Sequence, residues 1–95
     1  MDFSVERIDG GAVFRLSRPA KLNAITRSIL SGLGECLDGL EAGNGRFVVV
    51  TGEGDRAFCA GTDLGESAAL SPGDRIAKND GARALFVRLS RSPLV

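Results

Sequence analysis

The chain has 95 residues, enough for one small domain or a part of a larger one. Its 43% hydrophobic and 25% charged content excludes intrinsic disorder. Twelve Lys and Arg balance twelve Asp and Glu, so no net field recruits nucleic acid or an anionic membrane.

Residues 3–8 and 12–17 read as two strands joined by Asp9-Gly10-Gly11, a hairpin signal. Apolar positions alternate with polar ones in both, which predicts one solvated face. Arg18-Pro19 ends the second strand, because proline cannot donate to a ladder. Ala20-Lys21-Leu22-Asn23-Ala24 is a loop, with Asn23 bonding its backbone. Thr26 is an N-cap, and Ile29, Leu30, Leu33, Leu37 and Leu40 then recur at helical spacing over 27–42. Gly32, Gly34 and Gly39 interrupt that helix at about 1 kcal/mol each relative to alanine. Their expected use is close packing against a neighbour. Gly43-Asn44-Gly45 ends the helix.

Phe47-Val48-Val49-Val50-Thr51 has no polar alternation, so a strand over 46–51 is expected to be buried on both faces. Either Val48 and Val50 or Phe47 and Val49 should be almost fully buried. A turn of glycine and acidic residues follows, and then Phe58-Cys59-Ala60-Gly61. Ala60 and Gly61 leave their backbone bare to a ligand. Asp63 is an N-cap for a turn starting at Leu64. Residues 65–74 read as a loop and 75–91 as a weaker helix with Ile76, Leu85, Val87 and Leu89 on its apolar positions. Ser92-Pro93 breaks it. Leu94-Val95 looks like the first step of another buried strand, so the natural protein is expected to continue.

Cys36 and Cys59 are far apart and read as reduced, buried thiols, which suits the cytoplasm. The N-terminus lacks the pattern of a signal peptide, and no apolar run approaches the length of a membrane span. With no histidine and two separated cysteines, neither a zinc site nor a Ser-His-Asp or Cys-His set is expected. Gly52-Glu53-Gly54-Asp55-Arg56-Ala57 formally fits a dinucleotide-binding turn, with Asp74 about 20 residues on. Against this, no helix signal opens at Asp55 to face a pyrophosphate.

Three patterns carry a resemblance. They are Arg18-Pro19-Ala20-Lys21-Leu22-Asn23-Ala24, Phe47-Val48-Val49-Val50-Thr51-Gly52 and Ala57-Phe58-Cys59-Ala60-Gly61-Thr62-Asp63-Leu64. In order and separation they resemble the enoyl-CoA hydratase/isomerase family, the crotonases. The resemblance implies an α/β fold, the N-terminal part of a crotonase-type β-β-α spiral, with residues 1–95 as the first part of a single domain. It implies an acyl-CoA substrate, no further cofactor, no metal, no nucleic acid or membrane partner, and a trimer or hexamer at full length.

The family stabilises a thioester enolate with two backbone N–H donors, each worth about 2.7–4 kcal/mol. By the resemblance Thr62 supplies one of them through its N–H rather than its hydroxyl. Lys21, Leu22, Ala24, Ala60, Gly61, Thr62, Asp63 and Leu64 would line the CoA site, the carbonyls of Ala24 and Ala60 among them. Lys21 would meet a CoA phosphate, though on its own it reads as a solvated loop lysine. Cys59 reads as a packed core thiol. The family's second donor and its two catalytic carboxylates lie beyond the matched patterns. The isolated chain is therefore expected to be inactive, or to act as a non-catalytic fragment binding a complementary chain.

Overall fold

The structure is a computed structural model that describes residues 2–55, 57–59, 61–92 and 94. Strands β1 (Phe3–Ile8) and β2 (Gly11–Leu16) form an antiparallel hairpin, Phe3 opposite Leu16 and Ile8 opposite Gly11. Gly10 sits at φ +84° in the turn, a conformation glycine adopts without strain. The second strand thus begins and ends one residue before its expected bounds. Strand β3 (Phe47–Gly52) runs parallel to β2, giving the order β1-β2-β3. Parallel neighbours need a long crossover. Helix α1 (Arg27–Ala42) supplies it.

Thr26 caps α1, its hydroxyl oxygen accepting from the Ile29 N–H at 3.3 Å. The helix buries Ile29, Leu33, Cys36, Leu37 and Leu40 against Ala12, Phe14 and Leu16 of β2. Each such aliphatic side chain contributes about 1.5–3 kcal/mol on leaving water. Phe3 stacks on Phe14 with ring centroids 4.9 Å apart. Gly32 lies against the Phe3 ring and Gly39 against the Arg7 guanidinium, so both permit close approach. Gly34 faces open space, and the packing role expected for it is not there.

β3 departs from expectation. Val49 is 45% exposed, and Phe47, Val48 and Val50 are only half-buried, so neither alternate pair is fully enclosed. The reason is topological. β3 pairs with β2 along one edge, and α1 covers one sheet face, mostly over β2. Val48 and Val50 reach the core beneath α1, while Val49 points to the uncovered face.

The region 65–74 is a second correction, being helical on both sides of a break at Leu70 and Ser71 rather than a loop. Helix α2 (Leu64–Ala69) starts on Asp63, whose Oδ1 accepts from the Glu66 N–H at 2.7 Å. Helix α3 (Pro72–Arg91) starts on Ser71, whose Oγ accepts from the Asp74 N–H at 3.1 Å, with Pro72 at its first position. These caps start helices where the residue types suggested irregular backbone. α3 rests on α1 through Leu85 and through Arg88, which donates to Asp38 at 2.7 Å and Glu41 at 3.1 Å. Those carboxylates raise the Arg88 pKa. Ile76, Phe86 and Val87 remain exposed on α3.

No residue described between Asp55 and Asp63 is helical, so no helix N-terminus stands behind the 52–57 glycine turn. That geometry lacks what a pyrophosphate needs. No helix among the described residues is long and apolar enough to cross a membrane.

Candidate functional site

The site is built where the loop after β2 meets the loop after β3. Past Arg18 the chain makes a single 3-10 turn at Pro19–Lys21. Leu22 and Asn23 then take left-handed φ values of 54° and 57°. Asparagine tolerates that region better than most residues. Asn23 is fully buried and its amide is used at both ends. Its Oδ1 accepts from the Arg18 N–H at 2.9 Å, and its Nδ2 donates to the carbonyls of Glu53 at 2.9 Å and Ala57 at 2.8 Å. One side chain therefore ties the two loops together.

The next tie is made of backbone. Ile25 and Thr62 form a parallel bridge in which the Ile25 N–H donates to the Gly61 carbonyl at 2.6 Å. The Asp63 N–H donates to the Ile25 carbonyl at 2.8 Å. The Gly61 carbonyl and the Thr62 N–H belong to one peptide plane, and in a trans peptide they point in opposite directions. Because the carbonyl faces Ile25, the Thr62 N–H faces away from it. A carbonyl that accepts a hydrogen bond also polarises the N–H of its own peptide unit. Gly61 holds φ at +98°, a value that side-chain-bearing residues rarely adopt.

Asp63 completes the frame. Its Oδ2 pairs with Arg18 Nη1 at 2.8 Å while Oδ1 caps α2. The Glu66 N–H and then Arg18 hold its carboxyl below the usual range. Glu66 in turn accepts from the Arg27 N–H at 2.9 Å and from Lys78 Nζ at 3.1 Å. The Lys78 ammonium, 1% exposed, also donates to Ser67 Oγ at 3.0 Å, so this buried charge is paired and hydrogen-bonded.

A cleft of about 730 Å³ opens between this frame and α3. Ile25, Leu30, Phe58, Cys59, Gly61 and Thr62 form one wall; Lys78, Phe86 and Val87 are on the α3 side. Its volume suits a sizeable, largely apolar group. Cys59 packs against the core but also faces the cleft and is half-buried, which corrects its reading as an enclosed thiol. The Gly61 N–H donates to its sulfur at 3.5 Å. Cys36 is the buried thiol, and burial pushes its pKa up.

Of the residues expected to line a ligand site, the structure brings Gly61 and Thr62 to the cleft. Ala60 lies outside the described residues. Lys21 is exposed at the end of its turn, Leu22 half-buried beside it, and Leu64 77% exposed on α2. Ala24 is buried, and its carbonyl accepts from Arg18 Nη1 at 2.7 Å. Both oxygens of Asp63 are engaged in the frame. Sequence reasoning passed over Ile25, the bridging partner, and Arg18, which the Arg18-Pro19 pattern marked without a role. The α3 wall carried no signal beyond its helical spacing.

The chain is similar to known proteins over most of its length. The enoyl-CoA hydratase/isomerase family pattern matches residues 6–95. An enoyl-CoA isomerase/hydratase of Zymoseptoria tritici is 35% identical over 86 residues, 86% of this chain and 28% of its own. A 4-chlorobenzoyl coenzyme A dehalogenase of Arthrobacter is 38% identical over 84 residues, 87% of this chain and 30% of its own. The chain thus spans about three tenths of the length of these curated relatives. Among solved structures, an enoyl-CoA hydratase from Bacillus anthracis superposes with TM-score 0.86 at 27% identity, covering 99% of this chain and 37% of that one. A carnitinyl-CoA dehydratase from Mycobacterium thermoresistibile gives 0.88 at 27% identity, covering 98% and 28%. The hairpin, the crossover helix and the bridged Gly61-Thr62 loop therefore form an α/β portion of the crotonase fold, and the chain belongs to the enoyl-CoA hydratase/isomerase family.

Proposed function

We propose that this chain is the N-terminal part of a single crotonase-type domain that binds an acyl-CoA thioester and stabilises its enolate. The observation that carries the reading is the Gly61–Thr62 peptide. Its carbonyl is held by Ile25, so its N–H is directed away from the bridge, and Thr62 lines the cleft. A pre-aimed backbone donor costs no reorganisation when charge develops on a thioester oxygen. In the whole protein the reaction is hydration or isomerisation of an enoyl-CoA. A dehalogenase among the relatives supports assigning thioester binding to this portion and the choice of reaction to other residues.

In this reading Thr62 donates through its N–H, and Gly61, Ala60, Ala24 and Leu22 provide backbone and surface along the CoA path. Lys21 meets a phosphate from its exposed turn. Asp63 and Leu64 start the helix that backs the loop. The chain alone turns over no enoyl-CoA, because no acid–base pair of carboxylates is assigned within it. The full-length protein assembles as a trimer or hexamer, and two free thiols suit the cytoplasm.

A second reading is a non-catalytic piece that binds a complementary chain. The exposed side chains Val49, Phe58, Phe86 and Val87 favour it. The experiment is ligand-induced stabilisation of the purified chain. Crotonyl-CoA should raise its Tm in a concentration-dependent way, and NAD should not. Stabilisation by NAD but not by crotonyl-CoA would favour a nucleotide site instead. No response to either would remove the acyl-CoA reading.

A further inference from the structure

The Ile25–Thr62 bridge is two hydrogen bonds long, and something must hold it in register. One guanidinium lies across it. Arg18 Nη1 donates to the Ala24 carbonyl at 2.7 Å and pairs with Asp63 Oδ2 at 2.8 Å. Ala24 directly precedes Ile25, and Asp63 directly follows Thr62. The same nitrogen thus binds the chain on both sides of the bridge. The Arg18 side chain is 17% exposed and that of Asp63 12%, so little water competes for the pair.

Arg18 is itself fixed. Its N–H donates to Asn23 Oδ1 at 2.9 Å, and its Nε lies 3.7 Å from Asp2 Oδ1. Asp2 Oδ2 accepts from the Thr26 hydroxyl at 2.7 Å, just past Ile25. The charged groups facing Asp63 are Arg18, in contact, and Lys78, farther off and paired with Glu66. Among the described residues, Arg18 is the cation within hydrogen-bond reach of the Asp63 carboxylate.

We propose that Arg18 is a positioning residue for the Thr62 N–H, clamping Ala24 and Asp63 so that the Gly61–Thr62 peptide plane keeps its direction. This rests on the reading of Thr62 as the oxyanion donor. Arginine suits the task because its planar fork is pre-organised, whereas a lysine presents a rotating point charge. The clamp touches no reacting atom. It acts through the bridge.

The test is amide hydrogen exchange on the 95-residue chain, read residue by residue by NMR. The Ile25 and Asp63 amides report the bridge, and Leu37 in α1 reports the fold as a whole. Arg18→Gln should speed exchange at Ile25 and Asp63 by about tenfold and leave Leu37 as it was. Arg18→Lys should recover part of the protection. Asp63→Asn keeps an oxygen to cap Glu66 but loses the charge, and should match Arg18→Gln. Wild-type exchange at Ile25 and Asp63 in any folded Gln or Asn variant overturns the proposal. So does equal acceleration at Leu37 in every variant, since Arg18 would then support the fold as a whole. The Thr62 amide shift on adding butyryl-CoA is recorded in the same samples. If wild type responds, Arg18→Gln should blunt the response and Arg18→Lys restore part of it. If wild type does not respond, the thioester reading fails, while the exchange data still decide the clamp.

Discussion

Replacing Asn23 with alanine is the sharpest probe of how the two loops are joined. The side chain is fully buried and makes three hydrogen bonds, one accepted from Arg18 and two donated to Glu53 and Ala57. A net loss of about 1 kcal/mol for each bond is typical. Alanine at φ 57° adds up to about 1 kcal/mol, because it lacks the short polar side chain that lets asparagine tolerate the left-handed region. The variant should therefore lose about 3–4 kcal/mol. That is a large share of the 5–15 kcal/mol expected for a whole domain. Asn23→Asp keeps the acceptor and tolerates the backbone but loses both donors and sets a carboxylate against two carbonyls, so it should be at least as damaging. The chain has no Trp or Tyr, so urea unfolding is followed by far-UV circular dichroism. A loss below about 1 kcal/mol in Asn23→Ala, with the urea slope unchanged, would refute this account of the joint.

Acid should loosen the same region. Because the folded state depresses the pKa of Asp63, its contribution is fully present above the ordinary value of 3.8 and is lost as pH falls through the folded one. NMR shifts of Glu66 and Thr62 should accordingly move together below that pH, and constant shifts down to acid unfolding would contradict the pairing. The glycines of α1 should separate by environment. Gly34→Ala meets no neighbour and should stabilise by about 0.5–1 kcal/mol. Gly32→Ala drives a methyl into the Phe3 ring and should destabilise by about 1–3 kcal/mol in thermal unfolding.

The elements readable from residue order are those with local chemistry. Asp9-Gly10-Gly11 marked the hairpin, and Thr26 with the Ile29 to Leu40 spacing marked α1, because caps and periodicity act within a few residues. Asp63 read correctly as a cap and 75–91 as a helix, yet α2 and the first turn of α3 were missed. Gly65, Pro72 and Gly73 suggested loop, while the deciding bonds to Asp63 and Ser71 span only three residues each. The burial of β3 was misread because a run of valines looks the same at a sheet edge as at its centre, and neighbours decide which. The pattern singled out Thr62, whose donor role is the proposal made above. The contacts that hold its loop were not legible, since Ile25 and Arg18 lie 37 and 44 residues away in sequence.

The central claim is that the Thr62 N–H meets a thioester oxygen. The most direct measurement is the Thr62 amide proton shift during titration with butyryl-CoA, beside S-butyl-CoA, a thioether that lacks the carbonyl oxygen. The account predicts a downfield shift that saturates with the thioester, is absent with the thioether and persists at the residue 62 amide in Thr62→Ala, while Thr62→Pro, having no N–H, loses thioester affinity relative to Thr62→Ala. Equal responses to both ligands, or equal affinity of the Ala and Pro variants for the thioester, would contradict it.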